Sequence, residues 1–160
     1  MTHWLKKTPV ALALVGALAL GACDDDSTGL DDDHGEDVAG AVLTMNAAEL
    51  ARYDGPSRTW SAEVTIDEGQ ESDHIDVEFV DEAGNPVALG DDFHLEVVVA
   101  DGTIATFEQD TPGEFGGHVH GEAVGSTLMT FRLMHGAVGS GHPDFSASNL
   151  VVNVDAPVVP

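Results

Sequence analysis

From Val38 to the C-terminus, no stretch long enough for a helix keeps its apolar residues at helical spacing. Apolar and polar side chains alternate instead, in short runs separated by turn residues. A period of two places successive side chains on opposite faces of a sheet. His74–Val80 shows this best, with Ile75, Val77 and Phe79 on one face and His74, Asp76 and Glu78 on the other. Phe93, Leu95, Val97 and Val99 form a second row, with His94 and Glu96 opposite; Met129, Phe131 and Leu133 align within Thr127–His135. Further strands are expected at Ala41–Met45, Glu49–Tyr53, Trp60–Ile66, Thr103–Glu108, Phe115–Val124 and Leu150–Val154, with a turn and an edge-like segment over Asp81–Val87. Short strands at regular spacing predict an all-β fold, an antiparallel β-sandwich of about 7–9 strands filling residues 38–160. His74 and His94, opposite the apolar rows, are expected at the surface.

Two segments carry a resemblance. Gly125-Ser126-Thr127-Leu128-Met129-Thr130-Phe131 resembles the penultimate strand of bacterial immunoglobulin-like domains, where a Gly/Thr-rich start leads into an alternating strand. Val80-Asp81-Glu82-Ala83-Gly84-Asn85-Pro86-Val87 is similar to the second-strand exit of those domains. The likeness covers about residues 60–155 and implies an immunoglobulin-like fold. Its motifs are turn-and-strand chemistry, which bears on fold and not on function.

The N-terminus reads as an address. Lys6 and Lys7 precede the apolar run Pro9–Leu20, which is shorter than the ~20 residues of a membrane-spanning helix and suits the core of a secretory signal. The run closes on Leu20-Gly21-Ala22-Cys23, which resembles the lipobox of bacterial lipoproteins. That resemblance implies a signal peptide over residues 1–22, cleavage before Cys23 and lipid on Cys23. The expected location is the bacterial cell envelope, periplasmic or on the outer surface, with the membrane as partner through that lipid. The alternative is a plain signal peptide and a chance cysteine. Residues 24–37 (DDDSTGLDDDHGED) hold eight acids and one apolar side chain, too little apolar surface to offset the entropy of ordering. With Cys23 they read as an acidic disordered tether, residues 23–37, extended by like-charge repulsion.

Charge removes other partners. The chain has five Lys+Arg against 29 Asp+Glu, a formal charge of −24. Cleavage before Cys23 removes both lysines, and three Arg against 29 acids then gives −26. Nucleic acid is excluded, because phosphate binding needs a basic face. A single cysteine excludes an internal disulfide and a Cys-rich zinc site.

The histidines hold what chemistry remains. His118 and His120 sit at i and i+2 in Gly116-Gly117-His118-Val119-His120-Gly121, so a strand there projects both rings to one side. His135 ends the strong strand that carries Phe131 and Leu133, and is expected to be partly buried and in need of a partner. A Gly-rich loop over 136–141 then delivers His142 and Asp144, again at i and i+2. A hairpin from His120 through Gly125 to His135 would gather His118, His120, His135, His142 and Asp144 into one metal site. Neutral imidazoles with one carboxylate suit zinc or copper. Solvent-facing histidine pairs also arise by chance, and Val119 pointing inward would simply leave both neighbours outside.

The same series is superficially similar to the ligands of copper-zinc superoxide dismutases, which share a Greek-key sandwich and a His-Val-His pair followed by a further His and an Asp. The chain departs from that pattern in three ways. A strand stands where that family has a long loop, no His follows His142, and the last Arg is Arg132. The sequence therefore supports a non-enzymatic envelope lipoprotein that buffers or delivers a divalent metal ion. The alternative is a metal-free immunoglobulin-like module with a structural or protein-interaction role. A third alternative, a metal-dependent enzyme, needs an open coordination position and a pocket; no nucleophile elbow or phosphate-cradling loop supports other enzyme classes.

Overall fold

The alternating rows pair into two sheets. The computed structural model describes residues 37–157. The signal segment, Cys23 and the tether up to residue 36 lie outside the described residues. Ten strands follow in order: β1 (Gly40–Met45), β2 (Ala48–Asp54), β3 (Thr59–Trp60), β4 (Val64–Asp67), β5 (Ile75–Val80), β6 (Phe93–Val99), β7 (Ala105–Glu108), β8 (Gly116–Gly121), β9 (Gly125–His135) and β10 (His142–Asp155). One sheet has the order β3-β2-β1-β5-β8-β7 and the other β4-β10-β9-β6. The architecture is an all-β, immunoglobulin-like sandwich. All pairs are antiparallel except β4–β10, which is parallel.

The expected faces are the observed ones over most strands. Ile75, Val77 and Phe79 are buried, while Asp76 and Glu78 are exposed. Met129, Phe131 and Leu133 are fully enclosed, with Leu43, Leu95, Leu150 and Val152 packed in the same core. Aromatic edges bridge the sheets: Phe79 of β5 meets Phe145 of β10 at 6.0 Å, and Phe107 of β7 meets Phe131 of β9 at 5.7 Å. Both are edge-to-face contacts, the arrangement that ring quadrupoles favour.

Three expectations need correction. Trp60–Ile66 is not one strand. It breaks after Trp60, so that β3 pairs with β2 in one sheet and β4 with β10 in the other. The Trp60 indole N–H donates to the Ser148 carbonyl at 3.0 Å, pinning this crossing point. The last strand begins at His142 and not at Leu150, because β-bulges between Pro143 and Phe145 and between Ala147 and Leu150 absorb residues that break the alternation. His94 is buried at 7% exposure, because Gly113 and the 136–141 loop close over the outer face of β6.

β8 and β9 also do not form the expected hairpin. β8 pairs with β5 and β7, and β9 with β6 and β10. The long apolar row of β9 takes an interior position in its sheet. β8 directs Val119 into the core. Residues 69–72 run beside β8, with Gly121 N–H donating to the Gln70 carbonyl at 3.0 Å and Ser72 N–H to the Val119 carbonyl at 2.9 Å.

Candidate metal centre

His135 lies where the core row of β9 reaches the end of the sandwich. Phe131 and Leu133 before it are sealed, whereas the His135 side chain keeps 31% of its surface exposed. Its direct neighbours across the sheet are Phe93 of β6 and His142 of β10. The Phe93 and His135 rings stack at 4.7 Å and 16°, and the His135 and His142 rings lie 5.3 Å apart. Residues directly opposite in a sheet hold their Cβ atoms about 5 Å apart, which is why two rings from different strands meet here.

The 136–141 loop turns β9 into β10. Gly136 (φ 104°) and Gly139 (φ 80°) adopt left-handed conformations there. Gly136 N–H donates to the Asp92 carbonyl at 2.8 Å, which ties the loop to the residue before β6. Asp144 is the extra residue of the first β10 bulge, since Pro143 opposes Met134 and Phe145 opposes Leu133. Bulges re-aim side chains. The Asp144 carboxylate lies 3.1 Å from His142 Nε2 and 3.7 Å from His135 Nδ1.

His135 Nε2 lies 2.7 Å from Asp92 Oδ2. A carboxylate only accepts, so Nε2 carries the proton and Nδ1 offers its lone pair to the space shared with Asp144 and His142. Ligand atoms of His135, His142 and Asp144 all lie within 4.8 Å of one another. A ligating imidazole whose far nitrogen is held by a carboxylate is the usual outer support of a metal-binding histidine. Asp92 supplies it, and sequence spacing did not single it out. The one available signal was its position just before the apolar row that faces His135.

The other two predicted ligands lie elsewhere. Val119 points inward, so His118 and His120 project together from the outer face of β8, as their spacing implied. His118 Nδ1 donates to the Ser72 carbonyl at 2.9 Å and groups with His74 and Asp110. The Ser72 carbonyl, together with the Asp110 and Glu71 charges, raises the His118 pKa above its ordinary value, against a smaller opposing effect of burial. His120 lies between Glu108 at 3.4 Å and Glu71 at 3.9 Å. The five-residue set predicted from sequence is therefore broken up: His135, His142 and Asp144 stay together, His118 joins His74 and Asp110, and His120 belongs to neither group. The halves of the series that resembles superoxide dismutase, the His-Val-His pair and the later His and Asp, stand in different sheets. His74, expected at the surface, is half-buried within the β8 group.

No protein-family model matches this sequence, and no curated protein sequence matches it significantly. Among solved structures the chain is similar to domains 4 and 5 of the S-layer protein SbsC, at 24% identity and a TM-score of 0.43. The match covers 60% of this chain and 49% of that one, so it spans about half of the neighbour's length.

Proposed function

We propose that this chain is a non-enzymatic metal-binding lipoprotein of the bacterial cell envelope. Lipid at Cys23 holds it to a membrane, and His135, His142 and Asp144 bind zinc or copper. The observation that carries the metal reading is the orientation of His135. Asp92 fixes its tautomer so that a free lone pair faces a second imidazole and a carboxylate. Metal binding needs neutral imidazoles and an ionised carboxylate, so uptake here competes with protons. Two imidazoles and one carboxylate leave a zinc ion at least one position for water or for a ligand from a partner. An open, partly exposed position suits buffering or delivery, since exchange needs access. The strongly acidic body raises the local cation concentration around it. Envelope location and anchoring rest on the signal-like N-terminus and its lipobox.

The test is calorimetric titration of the full chain, purified without a polyhistidine tag and dialysed against chelator, with zinc and then copper(II). The expected result is uptake that His135→Ala or His142→Ala weakens. If neither variant changes uptake at any site, the hairpin is not a metal centre. His135 is then a core-edge residue satisfied by Asp92 and Phe93, and the domain is a metal-free structural or interaction module. Loss of membrane association in Cys23→Ser tests the anchor separately.

A further inference from the structure

The second imidazole group meets the same chemical requirements by a different route. His74 lies just ahead of β5, Asp110 in the β7–β8 connection and His118 in β8. One nitrogen of each ring faces one oxygen of the Asp110 carboxylate: His74 Nδ1 to Oδ2 at 3.5 Å, and His118 Nε2 to Oδ1 at 3.6 Å. These separations are long for hydrogen bonds. They are close to the spacing of neighbouring ligands around a tetrahedral zinc ion, about 3.3 Å for metal–ligand bonds near 2.0–2.1 Å.

The His118 ring is also held from behind by a hydrogen bond, and the His74 ring by packing. His118 Nδ1 donates to the Ser72 carbonyl at 2.9 Å, which leaves Nε2 as the lone-pair nitrogen toward Asp110. His74 Nε2 has Asp76 Oδ1 at 3.6 Å. The rings stand edge to face, 5.2 Å apart. His74 lies against Gly116, where an added Cβ would strike its Nε2. The loop that carries Asp110 is fixed on both sides. Gln109 Nε2 donates to the carbonyls of Glu114 (2.7 Å) and Leu95 (3.2 Å), and the Gly113 carbonyl accepts from Leu95 N–H at 3.0 Å.

We propose that His74, Asp110 and His118 form a second divalent transition-metal site, of the zinc class, on the outer face of the β5–β8 sheet and independent of the hairpin. His120 is not one of its ligands. Its nitrogens face Glu71 and Glu108, although its i+2 spacing from His118 makes it the obvious chelating partner. The pairing that matters crosses from the residue just ahead of β5 to β8 and does not run along β8.

The test uses the full, untagged chain carrying His135→Ala and His142→Ala, which silences the hairpin. Zinc is titrated by calorimetry in a background of excess calcium, which occupies carboxylate-only sites. One equivalent is expected to remain. Adding His118→Ala or Asp110→Asn is expected to weaken it by more than about 100-fold, and His120→Ala to leave it within about threefold. In the unsubstituted chain, zinc should shift the imidazole NMR signals of both His74 and His118, a readout that needs no variant to fold. Absence of zinc uptake by the double variant overturns the proposal while leaving the hairpin reading intact. Equal loss in His120→Ala and His118→Ala replaces it with a chelate along β8. One equivalent in both the unsubstituted chain and the double variant supports this site and removes the hairpin.

Discussion

The two imidazole groups have the same composition, two rings and a carboxylate, and are built by opposite means. The hairpin group comes from ten consecutive residues, 135–144, and its rings meet because His135 and His142 are direct partners across β9–β10. The outer-face group draws on residues 74, 110 and 118, from three separate segments, and exists only once two long connections have closed. The supports differ as well. His135 rests on a core aromatic ring and a carboxylate, whereas His118 rests on a backbone carbonyl. A local group can survive loosening elsewhere in the fold. A group assembled across the fold reports on the whole of it.

The largest expected effect breaks the core behind the hairpin. Leu133→Ala should cost about 2–5 kcal/mol in a urea denaturation curve, because Leu133 is fully enclosed two residues before His135. Under partial destabilisation, zinc uptake at the outer-face group should fall before uptake at the hairpin. The reverse order would contradict the contrast between local and assembled sites. Next in size, Asp92→Asn keeps the side-chain shape but removes the carboxylate behind His135. It should weaken zinc at the hairpin by about 10–100-fold, measured by competition with a fluorescent chelator, and leave the His74 and His118 signals unchanged.

A smaller effect separates the groups in metal-free protein. The raised His118 pKa means that the folded state holds its proton more tightly than the unfolded chain. Its contribution to stability is fully present below the free imidazole value, near about 6.5, and is lost as pH rises through the folded value. Histidine NMR titration should therefore place His118 above a free histidine. His118→Gln should flatten the stability profile on that alkaline limb.

The smallest effect lies away from both groups. Asp81 is held below its ordinary value by the Asn85 side chain first and then by the Asn85 backbone N–H, and Asp54 by hydrogen bonds from Ser57. Their contributions exist above the unfolded carboxylate value and disappear as pH falls through the folded one. Asp81→Asn should slightly reduce the acid sensitivity of the unfolding midpoint below about pH 4.

Much of the sandwich was legible because its strands alternate strictly. The β5 row of Ile75, Val77 and Phe79 and the β9 row of Met129, Phe131 and Leu133 each have one face that can only be core. Trp60–Ile66 misled because alternation continues across a crossing between sheets, and a period of two carries no information about which sheet a strand joins. His94 misled for a related reason. It lies on the correct face of β6, but that face is roofed by the 136–141 loop, and roofing is a tertiary event. Of the two imidazole groups, the hairpin was readable because the paired partners were nearly adjacent in sequence. The outer-face group was half-readable. His118 announced itself beside His120, but its working neighbours, His74 and Asp110, lie 44 and 8 residues away and no spacing rule joins them.

The clasp on Leu95 has a consequence beyond positioning Asp110. An outer strand with free backbone groups is a template on which another chain can polymerise. Three of the four outer strands, β3, β4 and β7, are only two to four residues long and offer little template. β6 is the exception at seven residues, and the Gly113 carbonyl and Gln109 amide occupy both backbone groups at Leu95, near its middle. Molecules crowded side by side would thus find that rung already taken, and the same loop that carries Asp110 to one sheet guards the other against fibre growth.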